Sequence, residues 1–190
     1  MLSVIISTAG TEAPAVATLA ALVPGAAAGL IKEVLLVDGT HNGVIERVAD
    51  VAGCRFIDFE GSSSGAALAA GARQARSPWL MFLHAGAVLD TGWIDETTQF
   101  IQTVAAGGRE RAAVFRYARS PYADTSVGEV FSFLARTVLG PRSDQGLLIA
   151  REHYDRLGGY PAQARHAEAR LLRRLGRSRT LLRSKIVTVA

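Results

Sequence analysis

Five consecutive apolar residues, Trp79-Leu80-Met81-Phe82-Leu83, stand between Ser77-Pro78 and His84. A run this short, apolar at every position and punctuated by a proline, suits a strand buried on both faces. Such a strand needs apolar layers above and below it. Two similar runs precede it, Leu2-Ser3-Val4-Ile5-Ile6-Ser7 and Glu33-Val34-Leu35-Leu36-Val37, with helix-like segments in between. Strands alternating with helices predict an α/β chain, a mostly parallel sheet with helices on both faces. In open sheets of this kind ligands bind outside the carboxyl ends of the strands. That rule directs attention to Ser7-Thr8, Asp38-Gly39-Thr40 and His84-Ala85-Gly86.

The remaining segments fill in the alternation. Thr11 is placed to cap a first helix running to about Leu22, where Pro24-Gly25 ends it. Asn42 to Ala52 reads as a second helix and Cys54 to Phe59 as a third strand. The polar loop Glu60-Gly61-Ser62-Ser63-Ser64-Gly65 opens an Ala-rich helix from Ala66 to Ala75. After the fourth strand, a helix starts near Thr91-Gly92-Trp93 and ends at Gly107-Gly108, and Ala112 to Tyr117 is a fifth strand. Val127 to Leu139 reads as helical and Gly140 to Gln145 as a turn. Gly146 to Ala150 is a short strand, Arg151 to Leu157 a short helix, His166 to Leu175 a helix and Ile186 to Val189 a closing strand. With 190 residues and no internal repeat, one domain is expected. Its first part, 1–110, keeps a regular β-α rhythm, and 111–190 is looser.

Several function classes are disfavoured. Cys54 is the single cysteine, so no internal disulfide forms and no cysteine-based zinc site is available. A structural thiol and a cytoplasmic location are expected. The first βα turn, Ser7-Thr8-Ala9-Gly10-Thr11, lacks the glycine spacing that lets a pyrophosphate reach a helix N-terminus, and there is no Walker A sequence. The Ala-rich stretch from Ala13 to Leu30 carries Pro14, Pro24, Gly25 and Gly29 and reads as helix and loop rather than a membrane span. The formal charge is +4, with basic residues gathered between Arg165 and Lys185. A solvated amphipathic helix explains that cluster, and so does attraction to anionic phosphates or to the inner face of a membrane. Few aromatics and no matching motif argue against nucleic acid.

Individual residues at the predicted sheet edge have two readings each. Asp38 at a strand end can accept hydrogen bonds from a nucleobase or ribose, or close an Asx-turn over Gly39-Thr40. Ser62-Ser63-Ser64 before a helix can offer donors to an anion, or cap the helix. His84 is either a polar residue packed at a strand end or a metal ligand, although imidazole suits Mg²⁺ poorly. Asp144 is a turn former by physics alone, and Glu168 a helix carboxylate beside Arg165 and Arg170 or a group able to take a proton.

Taken in order, these blocks resemble the family 2 glycosyltransferases of the GT-A fold, in particular a bacterial subgroup whose fourth strand ends in Phe-Leu-His-Ala-Asp. Leu2 to Thr8 is similar to the opening strand, Glu33 to Thr40 to the second strand with its uracil-contacting Asp, and Gly65 to Ala72 to the Ala-Gly helix. Trp79 to Val88 is similar to the strand leading to the metal motif, and Asp144-Gln145-Gly146 and Leu157-Gly158-Gly159-Tyr160-Pro161 to acceptor-side blocks. Leu171 to Gly176 is similar to the helix after the usual Glu-Asp pair, which aligns here with Ala167-Glu168. The short apolar C-terminal region and the basic late helix predict that part of an acceptor site is left to a partner subunit, as in a homo-oligomer, or to a membrane surface. The resemblance implies a nucleotide-sugar donor, often UDP-linked, and a sugar or lipid acceptor hydroxyl. It places Ser7, Thr8, Asp38, Thr40, His84 and Gly86 around the donor, and Glu168 or Asp144 as the catalytic base. It also implies a divalent cation, Mn²⁺ or Mg²⁺, on the diphosphate. The chain departs from the pattern where Gly86 replaces the metal-holding acid, where Ser62 to Ser64 replace a basic loop residue, and where Ala167 replaces half of the acidic pair. Arg116, Arg119 and Arg142 are the cations within reach in sequence to take over the diphosphate charge. The same departures support a second expectation, a GT-A protein that binds a nucleotide, sugar or protein partner without metal-dependent transfer. A nucleotidyltransferase is disfavoured, because its glycine-rich phosphate loop is absent.

Overall fold

A computed structural model describes residues 1–61, 63–107, 109–118, 145–161 and 166–189. The described residues form one eight-stranded sheet. Strands β1 (Leu2–Ser7), β2 (Ile31–Asp38), β3 (Arg55–Asp58) and β4 (Trp79–His84) are joined by helices α1 (Glu12–Ala27), α2 (Val44–Ala52) and α3 (Ser64–Gln74). After β4 come β5 (Ala87–Leu89), α4 (Trp93–Gly107), β6 (Ala112–Tyr117), β7 (Leu147–Ala150), α5 (Arg151–Arg156), α6 (Ala167–Leu175) and β8 (Arg179–Thr188). The spatial order is β3-β2-β1-β4-β7-β6-β8-β5. Strands β3, β2, β1 and β4 run parallel, β7 is antiparallel to β4 and β6, and β6 and β8 are parallel again. The expected α/β architecture, helices on both faces of a mostly parallel sheet, is the one observed.

Alternation along each strand divides the core in two. Val4, Ile6, Leu36, Met81, Leu83, Phe115 and Leu148 face α1, α2 and α4, where Leu22, Ile45, Trp93 and Phe100 meet them. Ile5, Leu35, Val37, Leu80, Phe82, Val114 and Leu147 face α3, α5 and α6, where Leu68, Tyr154 and Leu171 meet them. Trp79 to Leu83 is buried at every position because it contributes to both layers. Helix α6 is amphipathic: Leu171, Leu172 and Leu175 are buried, and Arg173 and Arg174 are exposed.

Three expectations need correction. Helix α1 does not stop at Leu22 but runs through Pro24 to Ala27. The proline removes one N–H donor, yet the Ala28 amide bonds the Pro24 carbonyl at 2.9 Å and the Leu30 amide bonds the Gly25 carbonyl at 3.1 Å, so the last turn still closes. Strand β8 begins at Arg179 rather than Ile186, because its buried residues Leu182, Ser184 and Ile186 alternate with exposed Leu181, Arg183 and Lys185. The three-residue strand β5 is additional. The segments read as a helix over 127–139 and a turn over 140–144 lie outside the described residues.

Strand β5 also dictates the shape of the sheet. It follows β4 after Ala85-Gly86 in the chain, yet β7, β6 and β8 separate the two in the sheet. In a flat sheet four strand spacings would hold them roughly 19 Å apart. The step from His84 to Ala87 spans at most about 11 Å. The half of the sheet from β4 to β5 therefore curls, and it does so around the layer holding α1, whose Pro14 and Thr18 contact the connecting turn.

Candidate functional site

The carboxyl ends of β1, β2 and β4 lie side by side, with Ser7 opposite both Val37 and His84. Asp38, 2 % exposed, ends β2 and organises the two neighbouring loops. Its Oδ1 accepts from the Thr8 hydroxyl at 2.5 Å and the Gly10 amide at 2.9 Å. Its Oδ2 accepts from the Thr40 amide at 2.9 Å and the Thr40 hydroxyl at 2.6 Å. Burial pushes the Asp38 carboxyl up, but the bonds from Thr40, Thr8 and the Thr40 and Gly10 amides more than offset that and hold it below its ordinary value. Asn42 extends the arrangement by donating to the Gly10 carbonyl at 3.0 Å. Thus Thr8, Asp38 and Thr40 form one rigid hydrogen-bonded corner at the sheet edge.

His84 ends β4 on the face carrying α3 and α6. Its Nδ1 lies 2.7 Å from the Ser7 hydroxyl and its Nε2 3.1 Å from Oε2 of Glu168. Glu168 is buried, in the first turn of α6, and its Oε1 accepts from the Ser64 hydroxyl at 2.8 Å. The contact exists because the N-termini of α3 and α6 pack directly against each other: a side chain at Gly65 would overlap the Ala167 methyl. Both helix N-termini favour a negative charge there. A carboxylate only accepts, so with Glu168 ionised the proton of the neutral ring sits on Nε2. Nδ1 is then the acceptor for Ser7, and protonation of the ring reverses that bond. Beneath this network Tyr160 packs edge-on to Phe82, ring centroids 4.9 Å apart. Burial raises the Tyr160 phenol well above its ordinary value, with further contributions from the Glu168 and Tyr154 charges, so it stays neutral beside the carboxylate.

Gly86 stands where the family pattern has a metal-holding acid, and its surroundings admit no side chain. Its φ is +92° and a Cβ there would run into the Val189 carbonyl oxygen. Its amide donates to the Pro14 carbonyl and the Thr18 hydroxyl, both at 2.9 Å, and its carbonyl accepts from the Val189 amide at 2.9 Å. A hard divalent cation needs several oxygen ligands. Among the described residues no group of three or more His, Cys, Asp or Glu is arranged to hold one. The acid that the resemblance would supply to Mn²⁺ or Mg²⁺ is thus missing at position 86, and no three-residue set among the described residues replaces it.

Of the residues singled out in sequence, Ser7, His84 and Glu168 form one connected cluster and Thr8, Asp38 and Thr40 an adjoining one. Asp144, Arg119, Arg142 and Ser62 lie outside the described residues. Sequence reasoning missed Ser64 as the partner of Glu168, Thr18 and Val189 as the groups enclosing Gly86, and the contact between His84 and Glu168. The hydroxyl-bearing loop before α3 was the one available signal for Ser64.

No protein-family model matches the chain, and no curated protein matches it in sequence. Solved structures do. Glucosyl-3-phosphoglycerate synthase from Mycobacterium tuberculosis, in complex with Mn²⁺, uridine diphosphate and glucosyl-3-phosphoglycerate, aligns with a TM-score of 0.72 at 15% identity over 100% of this chain and 72% of that one. TarS 1-349 from S. aureus aligns with a TM-score of 0.71 at 12% identity over 99% of this chain and 60% of that one. Its complex with UDP-GlcNAc aligns with a TM-score of 0.67 at 12% identity, covering 100% of this chain and 59% of that one. The chain thus spans about three fifths of the TarS fragment. At these identities the likeness carries the architecture alone.

Proposed function

We propose that this chain, which has the GT-A glycosyltransferase fold, binds a nucleotide-sugar donor, UDP-linked as in the structural neighbours, and transfers the sugar to an acceptor hydroxyl. The observation carrying the reading is the placement of Glu168. This buried carboxylate from the end of the chain meets His84 at the carboxyl edge of β4, beside the Asp38 corner. Each Glu168 oxygen keeps a second lone pair, and a base held by two donors and two helix N-termini is oriented before substrate arrives. In this proposal the Thr8-Asp38-Thr40 corner and Ser7 shape the nucleoside end of the donor. His84 lies between nucleoside and sugar and holds the Glu168 carboxylate in place. Glu168 takes the acceptor proton as the new glycosidic bond forms and the nucleoside diphosphate leaves. No step is assigned to a metal, because position 86 is Gly and offers no side-chain ligand. Asp144 is carried as the second candidate base.

The enclosed Gly86 favours a second reading, a protein that binds the nucleotide without transferring sugar. Calorimetry with UDP, with and without Mn²⁺, and turnover of UDP-sugars by Glu168→Gln separate the two. The transferase reading expects UDP binding that Mn²⁺ does not strengthen, and a loss of turnover of about 10²-fold or more in Glu168→Gln with UDP affinity unchanged. Absence of UDP binding sinks the donor site altogether, and UDP binding without turnover leaves the second reading. Mn²⁺-strengthened UDP binding would overturn the metal-free assignment. No helix among the described residues is long and apolar enough to cross a membrane. Peripheral attachment at a membrane surface through the exposed Arg173 and Arg174 is the form of membrane association this proposal retains.

A further inference from the structure

Arg116 on β6 and Lys185 on β8 are exposed and directly opposite each other in the parallel β6–β8 register. Like charges facing each other across strands destabilise a sheet. Elsewhere in the structure cations have found acids: Arg55 with Glu33, Arg156 with Glu110, His41 with Asp58 and His84 with Glu168. Among the described residues neither the Arg116 guanidinium nor the Lys185 ammonium is paired with a carboxylate, although Asp90 Oδ2 accepts from the Lys185 backbone amide at 2.8 Å. Of the two acids near this part of β8, Asp90 is engaged by the Lys185 amide, and Glu96 lies on the opposite face and is occupied by the Arg183 and Ser184 amides and the Ser184 hydroxyl.

Register fixes where this pair lies. Phe82 is opposite Leu147, Leu147 opposite Val114, and all three face α3 and α6. Two residues further along each strand come His84 on β4 and Arg116 on β6, on that same face and at the same edge. The cation pair is thus level with the His84–Glu168 cluster, two and three strands further along the sheet. Resting on the proposed function, which sets the nucleotide over β1, β2 and β4, the next stretch of the edge belongs to the acceptor. We propose that Arg116 and Lys185 bind an anionic group, a phosphate monoester or carboxylate, on the acceptor molecule. The substrate class that follows is a hydroxyl compound carrying a negative charge a few bonds from the hydroxyl presented to Glu168. An arginine-lysine pair recognises such a group by a planar fork and a point charge together.

The test is calorimetric, with glycerol 3-phosphate and uncharged glycerol as probes, on the full chain with and without saturating UDP. Glycerol 3-phosphate is expected to bind and glycerol not to. The double substitution Arg116→Gln, Lys185→Gln is expected to weaken glycerol 3-phosphate at least about tenfold while UDP affinity stays within about twofold. Arg116→Lys, which keeps the charge, is expected to retain most of the binding. Both side chains are exposed, and an unchanged melting temperature verifies the fold of each variant. The proposal is overturned if glycerol 3-phosphate and glycerol behave alike, if the double variant binds glycerol 3-phosphate as the parent does, or if it weakens UDP as much as glycerol 3-phosphate. That last outcome would give the pair to the donor diphosphate. Failure of UDP to bind removes the donor reading and leaves the glycerol 3-phosphate titration without UDP to decide the anion site by itself.

Discussion

Two residues carry opposite kinds of constraint. Asp38 is held by donors on every side, so its charge is a structural requirement of the β1 and β2 loops. Asp38→Asn keeps one oxygen and turns a donor onto either the Gly10 amide or the Thr40 amide. A loss of about 2 kcal/mol is expected, read from the urea midpoint. The pH dependence has a definite sign. The folded carboxyl is held below its unfolded value. Its contribution is complete above the unfolded value, about 3.9, and fades as pH falls through the folded one. The parent should lose this stability on acidification below about pH 4, and Asp38→Asn should show a correspondingly flatter acid limb. Gly86, in contrast, is fixed by what cannot be added to it. Gly86→Asp reinstates the acid of the family pattern, but in a left-handed conformation against a carbonyl oxygen. The expected outcome is a stability loss of about 1–3 kcal/mol with no gain in Mn²⁺ affinity, measured by thermal melting and Mn²⁺ titration.

Among the elements, β8 shows how an irregular strand is stabilised. Val114 pairs with Leu181 and Arg116 with Lys185, so β8 carries two more residues than β6 between these pairs. The extra residues leave the Arg183 and Ser184 amides off the ladder. Glu96 of α4 captures both, each at 2.7 Å, and also takes the Ser184 hydroxyl. Burial raises the Glu96 carboxyl, and the Ser184 and Arg183 hydrogen bonds and the Arg183 charge bring it below its ordinary value. Glu96→Ala is expected to cost about 2 kcal/mol, seen as a lower melting temperature and faster amide exchange at Arg183 and Ser184. The contrast with the regular strands explains what was readable in advance. Strands β1, β2 and β4 are apolar on both faces and could not be mistaken for solvent-facing segments. In β8 the buried face includes Ser184 and the exposed face Arg183 and Lys185, so only its last apolar residues stood out. Strand β5 has too few residues for any period to register. The family resemblance singled out Glu168 and His84 separately but not their contact, because it joins residues 84 positions apart and no local pattern encodes it.

At the level of the whole molecule, the two parts 1–110 and 111–190 share one sheet. Strand β7 pairs directly with β4, and β8 pairs with both β6 and β5. Neither part can lose its strands without exposing the core of the other. Urea unfolding is expected to be a single transition, with Trp79 and Trp93 fluorescence and far-UV circular dichroism superimposing. Two resolved transitions would contradict the shared core. The curl of the sheet has a mechanical consequence as well. The chain passes from the site-bearing strand to the opposite border of the sheet through Ala85-Gly86, and Val189 fastens that passage from the other side. The seam of the curled half therefore runs through the rim of the proposed site. A ligand that stiffens His84 should tighten the hem between β5 and β8, slowing deuterium uptake at Val187 and Val189 although no atom of the ligand touches them.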